Sequence, residues 1–237
     1  MVTFTAAAYS WLDIARISIL LLTTLLGWVT YRSHLLLKEF QPDFNLLLSL
    51  PEFLVRLLLV GICLFLAWLS GLPATELGLR PENPLRLVAR GAAVGLATVI
   101  FINVVTHWSI EHFGRQIYSP QLVRNILPNR PVEWVLAGLA LIPAVAMEEL
   151  LFRSLWLGCF QQISPMWLLI LATSIIFGLM HQPQGRLGII LAGVINIIFS
   201  ILFVWSGQLL LPLTAHYTTN LFQLVLAHYQ RDWLESY

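Results

Sequence analysis

Long apolar runs separated by short polar breaks extend along the chain from about residue 12 to residue 228. A helix that crosses the roughly 30 Å hydrocarbon core of a bilayer needs about 20 consecutive, mostly apolar residues. The runs do not alternate in polarity, which favours helices over the strands of a membrane barrel. The pattern therefore predicts an all-α, polytopic transmembrane helix bundle of roughly seven spans, within a range of six to eight. The predicted spans are residues 12–31, 52–70, 87–108, 132–157, 167–181, 187–205 and 209–228.

The polar breaks are short and give no sign of a second folded unit. The break around residue 80 contains Pro81 and Pro84, and the longest, residues 112–131, contains three prolines. Short turns join the last spans, so we expect these helices to be antiparallel neighbours. The first apolar segment lacks a preceding basic region and is expected to be retained as a span. We therefore predict a single transmembrane domain over residues 1–237.

Composition agrees with a membrane environment. Of the 237 residues, 58% are hydrophobic and 11% are charged, whereas soluble domains carry about 25% charged residues. The surplus apolar surface must contact lipid, so the lipid bilayer is one expected partner. A net charge of +1 and the lack of a basic run give no reason to expect a nucleic-acid partner. The two cysteines, Cys63 and Cys159, lack metal-ligand spacing.

The basic residues predict an orientation in the membrane. Cytoplasmic loops of membrane proteins are enriched in Lys and Arg. With seven spans, one side would carry Arg32, Lys38, Arg115, Arg124, Arg130, Arg186 and Arg231, and the other Arg16, Arg80, Arg86 and Arg90. We therefore expect a multi-pass protein of a plasma or inner membrane, with the first side facing the cytoplasm.

The fourth predicted span contains three ionisable residues within two helical turns: Glu148, Glu149 and Arg153. Near the bilayer centre each costs about 2.5–3.5 kcal/mol, and each Leu, Ile, Phe or Val returns only about 0.3–0.6 kcal/mol. The apolar residues of this span do not comfortably offset all three charges. The helix should therefore lie in a bundle that supplies partners, and such residues are functional candidates.

Spacing assigns different contacts to the two glutamates. Glu149 and Arg153 are four residues apart, roughly 40° around an α-helix, and can pair directly. Glu148 lies roughly 140° from Arg153 and cannot easily share that cation. Glu148 is therefore the candidate general base. The Glu149–Arg153 pair either supports the site or only locks the packing of helices.

Histidine and asparagine side chains on two later spans complete a candidate catalytic group. The fifth span ends Phe177-Gly-Leu-Met-His181, and the seventh contains His216-Tyr-Thr-Thr-Asn220 on one helix face. A neutral His can orient a water molecule, and an Asn amide can donate to an oxyanion. Each alone is also consistent with a hydrogen bond between helices. His181 is expected toward one end of its span, where a cavity opening on that side would bring it to the others.

These residues resemble a known family in their order and spacing. The CAAX protease and bacteriocin-processing (Abi) family of intramembrane glutamic endopeptidases, which includes the type II CAAX prenyl endopeptidases, has a similar ordered set. The matching motifs are Glu148-Glu149-x-x-x-Arg153, Phe177-x-x-x-His181 and His216-x-x-x-Asn220. The resemblance covers about residues 132–230, which we interpret as the catalytic core.

The resemblance implies an intramembrane endopeptidase without a metal or other cofactor. Glu148 would activate the attacking water with help from His181, and His216 and Asn220 would stabilise the oxyanion. Supporting roles, including orientation of His216 by Glu149, would fall to Glu149, Arg153 and Phe177. The expected partner is a peptide or protein substrate, which in CAAX-type processing is prenylated.

Two other functions are compatible with the same residues. Two His and one Glu form a known catalytic zinc set, so Glu148, His181 and His216 could hold Zn²⁺, although no H-E-x-x-H helix occurs. A non-enzymatic transport or immunity protein could also contain intramembrane ionisable residues, although no paired halves are visible.

Overall fold

Helices form most of the described chain. The computed structural model describes residues 3–40, 42 and 44–236, with side chains from Trp11 onward. None of these residues lies in a strand. The long helices are α1 (Thr3–Glu39), α2 (Leu50–Leu69), α3 (Pro84–Phe113), α5 (Pro131–Glu149), α7 (Met166–Met180), α8 (Gly185–Ser206) and α9 (Leu210–Tyr229), and the short ones are α4 (Gln121–Ile126), α6 (Gly158–Phe160) and α10 (Arg231–Glu235). A π-helical segment, Leu150–Leu157, joins α5 to α6, and 3₁₀ turns occupy Leu46–Leu48, Arg115–Ile117 and Gln182–Gln184.

Each predicted span corresponds to one of the long helices. By length and composition, five helical stretches of the described chain can cross a membrane: Trp11–Glu39, Leu50–Leu69, Pro84–Phe113, Pro131–Phe160 and Gln182–Ser206. Helix α7 is apolar but shorter, with 15 residues, and α9 contains polar residues that lower its hydropathy. The predicted all-α transmembrane bundle is confirmed, and its span count is compatible with roughly seven. Helices α1 and α3 extend beyond their predicted apolar segments.

Proline residues begin several of these helices. Pro51, Pro84 and Pro131 lie in the first turns of α2, α3 and α5. The missing amide hydrogen of proline costs nothing there, because first-turn amides have no partner within the helix. Gly207 ends α8 with a φ of 65°, a left-handed conformation that glycine adopts without a steric penalty.

Small residues bring α3 and α9 into backbone contact. A Cβ atom added to Gly91 would lie 2.7 Å from the carbonyl oxygen of Leu211, and one added to Gly95 would lie 2.5 Å from that of Ala215. Such Gly-x-x-x-Gly spacing allows membrane helices to approach closely. Helix α9, which contains His216 and Asn220, is therefore positioned by direct contact with α3.

The helix that contains both glutamates lies at the centre of the bundle. In the most apolar window of Pro131–Phe160, 50% of the residues are buried, compared with 17–44% in the other four candidate spans. All eight residues of the π-helical segment Leu150–Leu157 are buried. Glu149 and Arg153, the two fully buried charged residues of this span, therefore face protein rather than lipid.

The two predicted groups of basic residues lie at opposite ends of the bundle. At one end, Gln121 Nε2 donates to the carbonyl oxygen of Leu37 at 2.6 Å, and Arg124 donates to that of Leu234. At the other end, Arg16 Nε donates to the carbonyl oxygen of Cys159 at 2.8 Å. We refer to the first as the α10 end. Its assignment to the cytoplasmic side stays a prediction.

Candidate functional site

A cavity of about 700 Å³ lies among the helices and reaches the α10 end of the bundle. Most of its wall is apolar, and Trp233 and Leu234 line it near α10. Its polar wall includes the four predicted catalytic residues, Glu148, His181, His216 and Asn220. Residues from three separate helices, α5, α7 and α9, therefore meet around one space, with His181 just beyond the end of α7.

The two glutamates are the last residues of α5, directly before the π-helical segment. The amide N–H of Gly158 donates to the carbonyl of Arg153, five residues earlier. The sequence predicts an α-helix over this stretch, and the wider turn corrects that prediction. π-Helical segments are rare and frequently occur at functional sites. The wider turn still places Arg153 beside Glu149.

Glu149 and Arg153 form a fully buried ion pair. Arg153 Nη1 lies 3.1 Å from Glu149 Oε1, and neither side chain is exposed. Arg153 Nη2 donates to the carbonyl oxygen of Asn196 at 3.4 Å. The guanidinium carbon lies 5.8 Å from the centre of the Phe177 ring and 5.9 Å from that of Phe199. The opposite charge and the aromatic faces both offset the desolvation of the guanidinium group.

The same carboxylate oxygen of Glu149 also contacts His216. His216 Nδ1 lies 2.7 Å from Glu149 Oε1. Because a carboxylate oxygen accepts, Nδ1 carries the hydrogen and donates it. This bond fixes the ring orientation and directs Nε2 toward Glu148, whose Oε2 is 3.6 Å away. His216 therefore lies between the two adjacent glutamates.

Glu148 differs from Glu149 in both exposure and contacts. Its side chain is 29% exposed and lines the cavity, whereas that of Glu149 is fully buried. The 3.6 Å separation from His216 is too long for a direct hydrogen bond and leaves the carboxylate accessible to water. The spacing of the two glutamates from Arg153 predicts this division of contacts, and the catalytic role of Glu148 stays a prediction.

His181 reaches the cavity because α7 ends there. Its Nδ1 lies 2.8 Å from the carbonyl oxygen of Phe177, so Nδ1–H donates and Nε2 is left as an acceptor. The Phe177 ring is 4.5 Å from the His181 ring and 6.2 Å from the His216 ring, centre to centre. The expected position of His181 near a span end is thus reconciled with the site, since the cavity extends to that end.

Asn220 lies one turn after His216 on α9, is half-buried and lines the cavity. Sequence reasoning missed two other cavity-lining residues, Arg56 on α2 and Gln223 on α9. Gln223 lies seven residues after His216, so helical periodicity could have indicated it. Arg56 is a cation within an apolar span, the type of signal that identified Arg153.

The structure also bears on the other candidate chemistries. Among the residues that it describes, no three His, Cys, Asp or Glu side chains form a cluster suited to a metal ion. Ser154 Oγ is buried and donates to the carbonyl oxygen of Leu77 at 2.7 Å. Cys63 and Cys159 are buried free thiols. The environments of Ser154, Cys63 and Cys159 therefore do not resemble that of an activated nucleophile beside a base.

Residues 130–222 match a family model described as type II CAAX prenyl endopeptidase Rce1-like. The resemblance to the CAAX protease and bacteriocin-processing family is thereby confirmed for this part of the chain. The matched segment contains all of the predicted catalytic and supporting residues: Glu148, Glu149, Arg153, Phe177, His181, His216 and Asn220. No curated protein and no solved structure matches the chain. Together with the apolar helices, the family match supports a CAAX-type intramembrane protease.

Proposed function

From the match of residues 130–222 to the Rce1-like type II CAAX prenyl endopeptidases, we propose that the protein hydrolyses a peptide bond by a glutamate-activated water molecule. One observation carries the proposal: Glu148, His181, His216 and Asn220 line a single cavity, while Arg153 pairs with the neighbouring Glu149 instead. The site thus contains one carboxylate that is committed to an ion pair and one that is accessible.

Glu148 is the general base in this mechanism. Its partly exposed carboxylate takes a proton from a water molecule, and the resulting hydroxide attacks the carbonyl carbon of the scissile bond. When the tetrahedral intermediate collapses, the C–N bond breaks and the protonated Glu148 passes that proton to the leaving amine nitrogen. His181 Nε2, an acceptor because Nδ1 donates to the Phe177 carbonyl, orients the same water. General acid–base catalysis of this kind contributes about 10²–10⁴-fold in rate.

His216 and Asn220 stabilise the tetrahedral oxyanion. The bond from Nδ1 to Glu149 holds the His216 ring in place. Because Nδ1 already carries a hydrogen, Nε2 donates to the oxyanion only when the ring is an imidazolium cation, which lies between the carboxylates of Glu148 and Glu149. The Asn220 amide supplies a second N–H group from the next turn of α9. Donors that are already oriented before the reaction stabilise developing charge effectively in a site that excludes most water. The roles of Glu149, Arg153 and Phe177 are to hold the rings of His216 and His181 in position.

We infer that the substrate is a membrane-associated peptide or protein, with a prenylated CAAX-type chain end as the first substrate to test. A largely apolar cavity among membrane helices suits a lipid-modified segment. The mechanism as proposed needs no metal. The site is proposed to open to the cytoplasmic side, because the cavity reaches the α10 end, where the larger group of basic residues lies.

The test compares hydrolysis of a farnesylated CAAX peptide and its unmodified form by detergent-purified wild type and Glu148→Gln. We expect the variant to lose about 10²–10⁴-fold in kcat, without a change in thermal stability, since Glu148 makes no direct hydrogen bond to another side chain. Glu111→Gln is the matched control, because Glu111 is exposed and does not line the cavity.

A strong chelator separates the proposed mechanism from the zinc alternative. Cleavage that requires Glu148 and survives the chelator supports glutamate-activated water. Chelator-sensitive cleavage that zinc restores would instead favour a metal held by Glu148, His181 and His216. Equal cleavage by wild type and Glu148→Gln contradicts both. Folded wild type that cleaves neither peptide would favour a non-enzymatic role.

A further inference from the structure

Two hydrogen-bond donors in the cavity wall have no partner among the described residues. They are Nη1 of Arg56, on α2, and Nε2 of Gln223, on α9, and both atoms are buried from solvent. Both residues line the same cavity as Glu148. A buried donor without a hydrogen-bond partner destabilises the fold, and more so when it is charged. Such donors therefore point to a ligand that accepts from them.

Arg56 is only weakly paired with its neighbour on α2. Its Nη2 lies 3.8 Å from Glu52 Oε2, beyond hydrogen-bond distance. The Glu52 side chain is 54% exposed and that of Arg56 is 23% exposed, so the carboxylate is the more hydrated partner. A largely buried arginine in an apolar span is costly unless a partner or a function accounts for it. Glu52 leaves much of the Arg56 guanidinium free to bind an anion.

Helix packing places the two donors at a similar depth. Helix α2 runs parallel to α5, because Phe53 packs in the same apolar cluster as Ala140 and Leu141, whereas Cys63 packs in the cluster that contains Leu150 and Leu151. This register sets Arg56 beside the turn that contains Ala144.

Helix α9 runs antiparallel to α5. His216 contacts Glu149, and Leu224 packs in the cluster of Leu141. Gln223 therefore also lies near the level of Ala144, which lines the cavity. Four residues of α-helix, about 6 Å of rise, separate that level from Glu148. It lies toward the α10 end, where α5 begins.

We propose that Arg56 and Gln223 bind the C-terminal carboxylate of the peptide whose scissile bond lies at Glu148, an inference that rests on the proposed protease function. A guanidinium group and an amide N–H suit a planar carboxylate, which arginine can bind with two parallel hydrogen bonds. An extended chain covers about 3.3–3.6 Å per residue. The separation from Glu148 therefore corresponds to roughly two residues after the scissile bond.

Binding of two peptides that differ only at the C-terminus tests the site. A fluorescent farnesylated peptide, as the free acid and as the amide, is titrated against the Glu148→Gln protein so that turnover does not interfere. We expect the acid to bind roughly tenfold to a hundredfold more tightly, the range for hydrogen bonds to charged groups. Arg56→Gln in the same background should abolish that difference and leave the affinity for the amide unchanged, which also shows that the variant is folded.

Further variants distinguish charge from shape. Arg56→Lys should retain part of the preference for the acid, because it retains the charge but not the planar geometry. Gln223→Leu should reduce the preference by a smaller factor. Arg86→Gln is the matched control, since Arg86 is exposed and does not line the cavity, and it should retain the full preference.

The outcomes separate this inference from the proposed function. Wild type that cleaves the acid and the amide with equal kcat/KM overturns the carboxylate site and leaves the protease proposal intact. A preference for the acid that depends on Arg56, without cleavage by wild type, supports the carboxylate site and counts against the protease. If Arg56→Gln weakens both peptides equally, Arg56 is structural and the inference fails.

Discussion

Replacing Arg153 by methionine tests whether the buried ion pair is held by its charges or only by its packing. Arg153→Met keeps an extended side chain beside Phe177 and Phe199 and removes the cation that lies 3.1 Å from Glu149 Oε1. Glu149 then keeps its bond from His216 but loses its arginine. Breaking one half of a buried ion pair costs about 3–5 kcal/mol, since the other charge is left without compensation.

A double variant that removes both charges completes the test. In Glu149→Gln/Arg153→Met, the amide oxygen can still accept from His216 Nδ1, and no buried charge is left unpaired. Replacing a buried ion pair by neutral groups is often nearly neutral. We therefore expect the double variant to lose less than half of the stability that Arg153→Met loses.

Thermal unfolding in detergent, followed by the fluorescence of the nine tryptophans, measures both effects. For a chain of this size about 1 kcal/mol corresponds to about 2–4 °C in Tm, so Arg153→Met should lower Tm by roughly 6–20 °C. Arg231→Met is the control, because Arg231 pairs with Glu235 at the same 3.1 Å and also donates to Asn129 Oδ1, but both of these contacts are solvent-exposed. That change should cost no more than about 1 kcal/mol. Additive losses in the double variant would refute the reasoning.

Two further predictions follow from contacts outside the ion pair. Gly95→Val should lower the free energy of unfolding by about 1–3 kcal/mol and reduce cleavage, because its Cβ would lie 2.5 Å from the Ala215 carbonyl oxygen and push α3 away from α9. Gly61→Ala is the control and should not destabilise the protein, because a Cβ at Gly61 would have no atom within 4 Å. Equal losses in Tm for the two variants would contradict the packing argument. Ser154→Ala should lower the free energy of unfolding by about 0.5–1.5 kcal/mol, because it removes the hydrogen bond to the Leu77 carbonyl oxygen, and it should retain kcat. Loss of cleavage in a folded Ser154→Ala variant would indicate a serine nucleophile.

Much of the candidate site followed from sequence because its key relations are local. Glu149 and Arg153 pair as expected, since four residues return to the same helix face in either an α- or a wider turn. Glu148, one residue earlier, points to a different side of the helix and therefore does not reach Arg153. The π-helical segment was not predicted, because no proline or glycine within Leu150–Leu157 marks it. Its geometry depends on the packing of eight buried side chains.

The positions of Arg56 and Gln223 in the cavity wall were not predicted from the sequence. Lipid and protein interiors are similarly apolar, so hydropathy does not reveal which face of a membrane helix is turned inward. The positions of these side chains became visible only when α2, α5 and α9 were packed together. The glycine contacts of α3 with α9 contribute to that packing.

The sequence by itself determined that the chain is a bundle of membrane helices, because hydrophobic length is a local property that adds along each segment. It also determined which polar residues were candidates, since each is costly in an apolar helix. Only the tertiary structure decided that His216, 67 positions from Glu149, lies between the two glutamates, and that one cavity also contains His181, Asn220 and Arg56. Contacts between distant segments depend on how whole helices pack, and no spacing within a single helix encodes them.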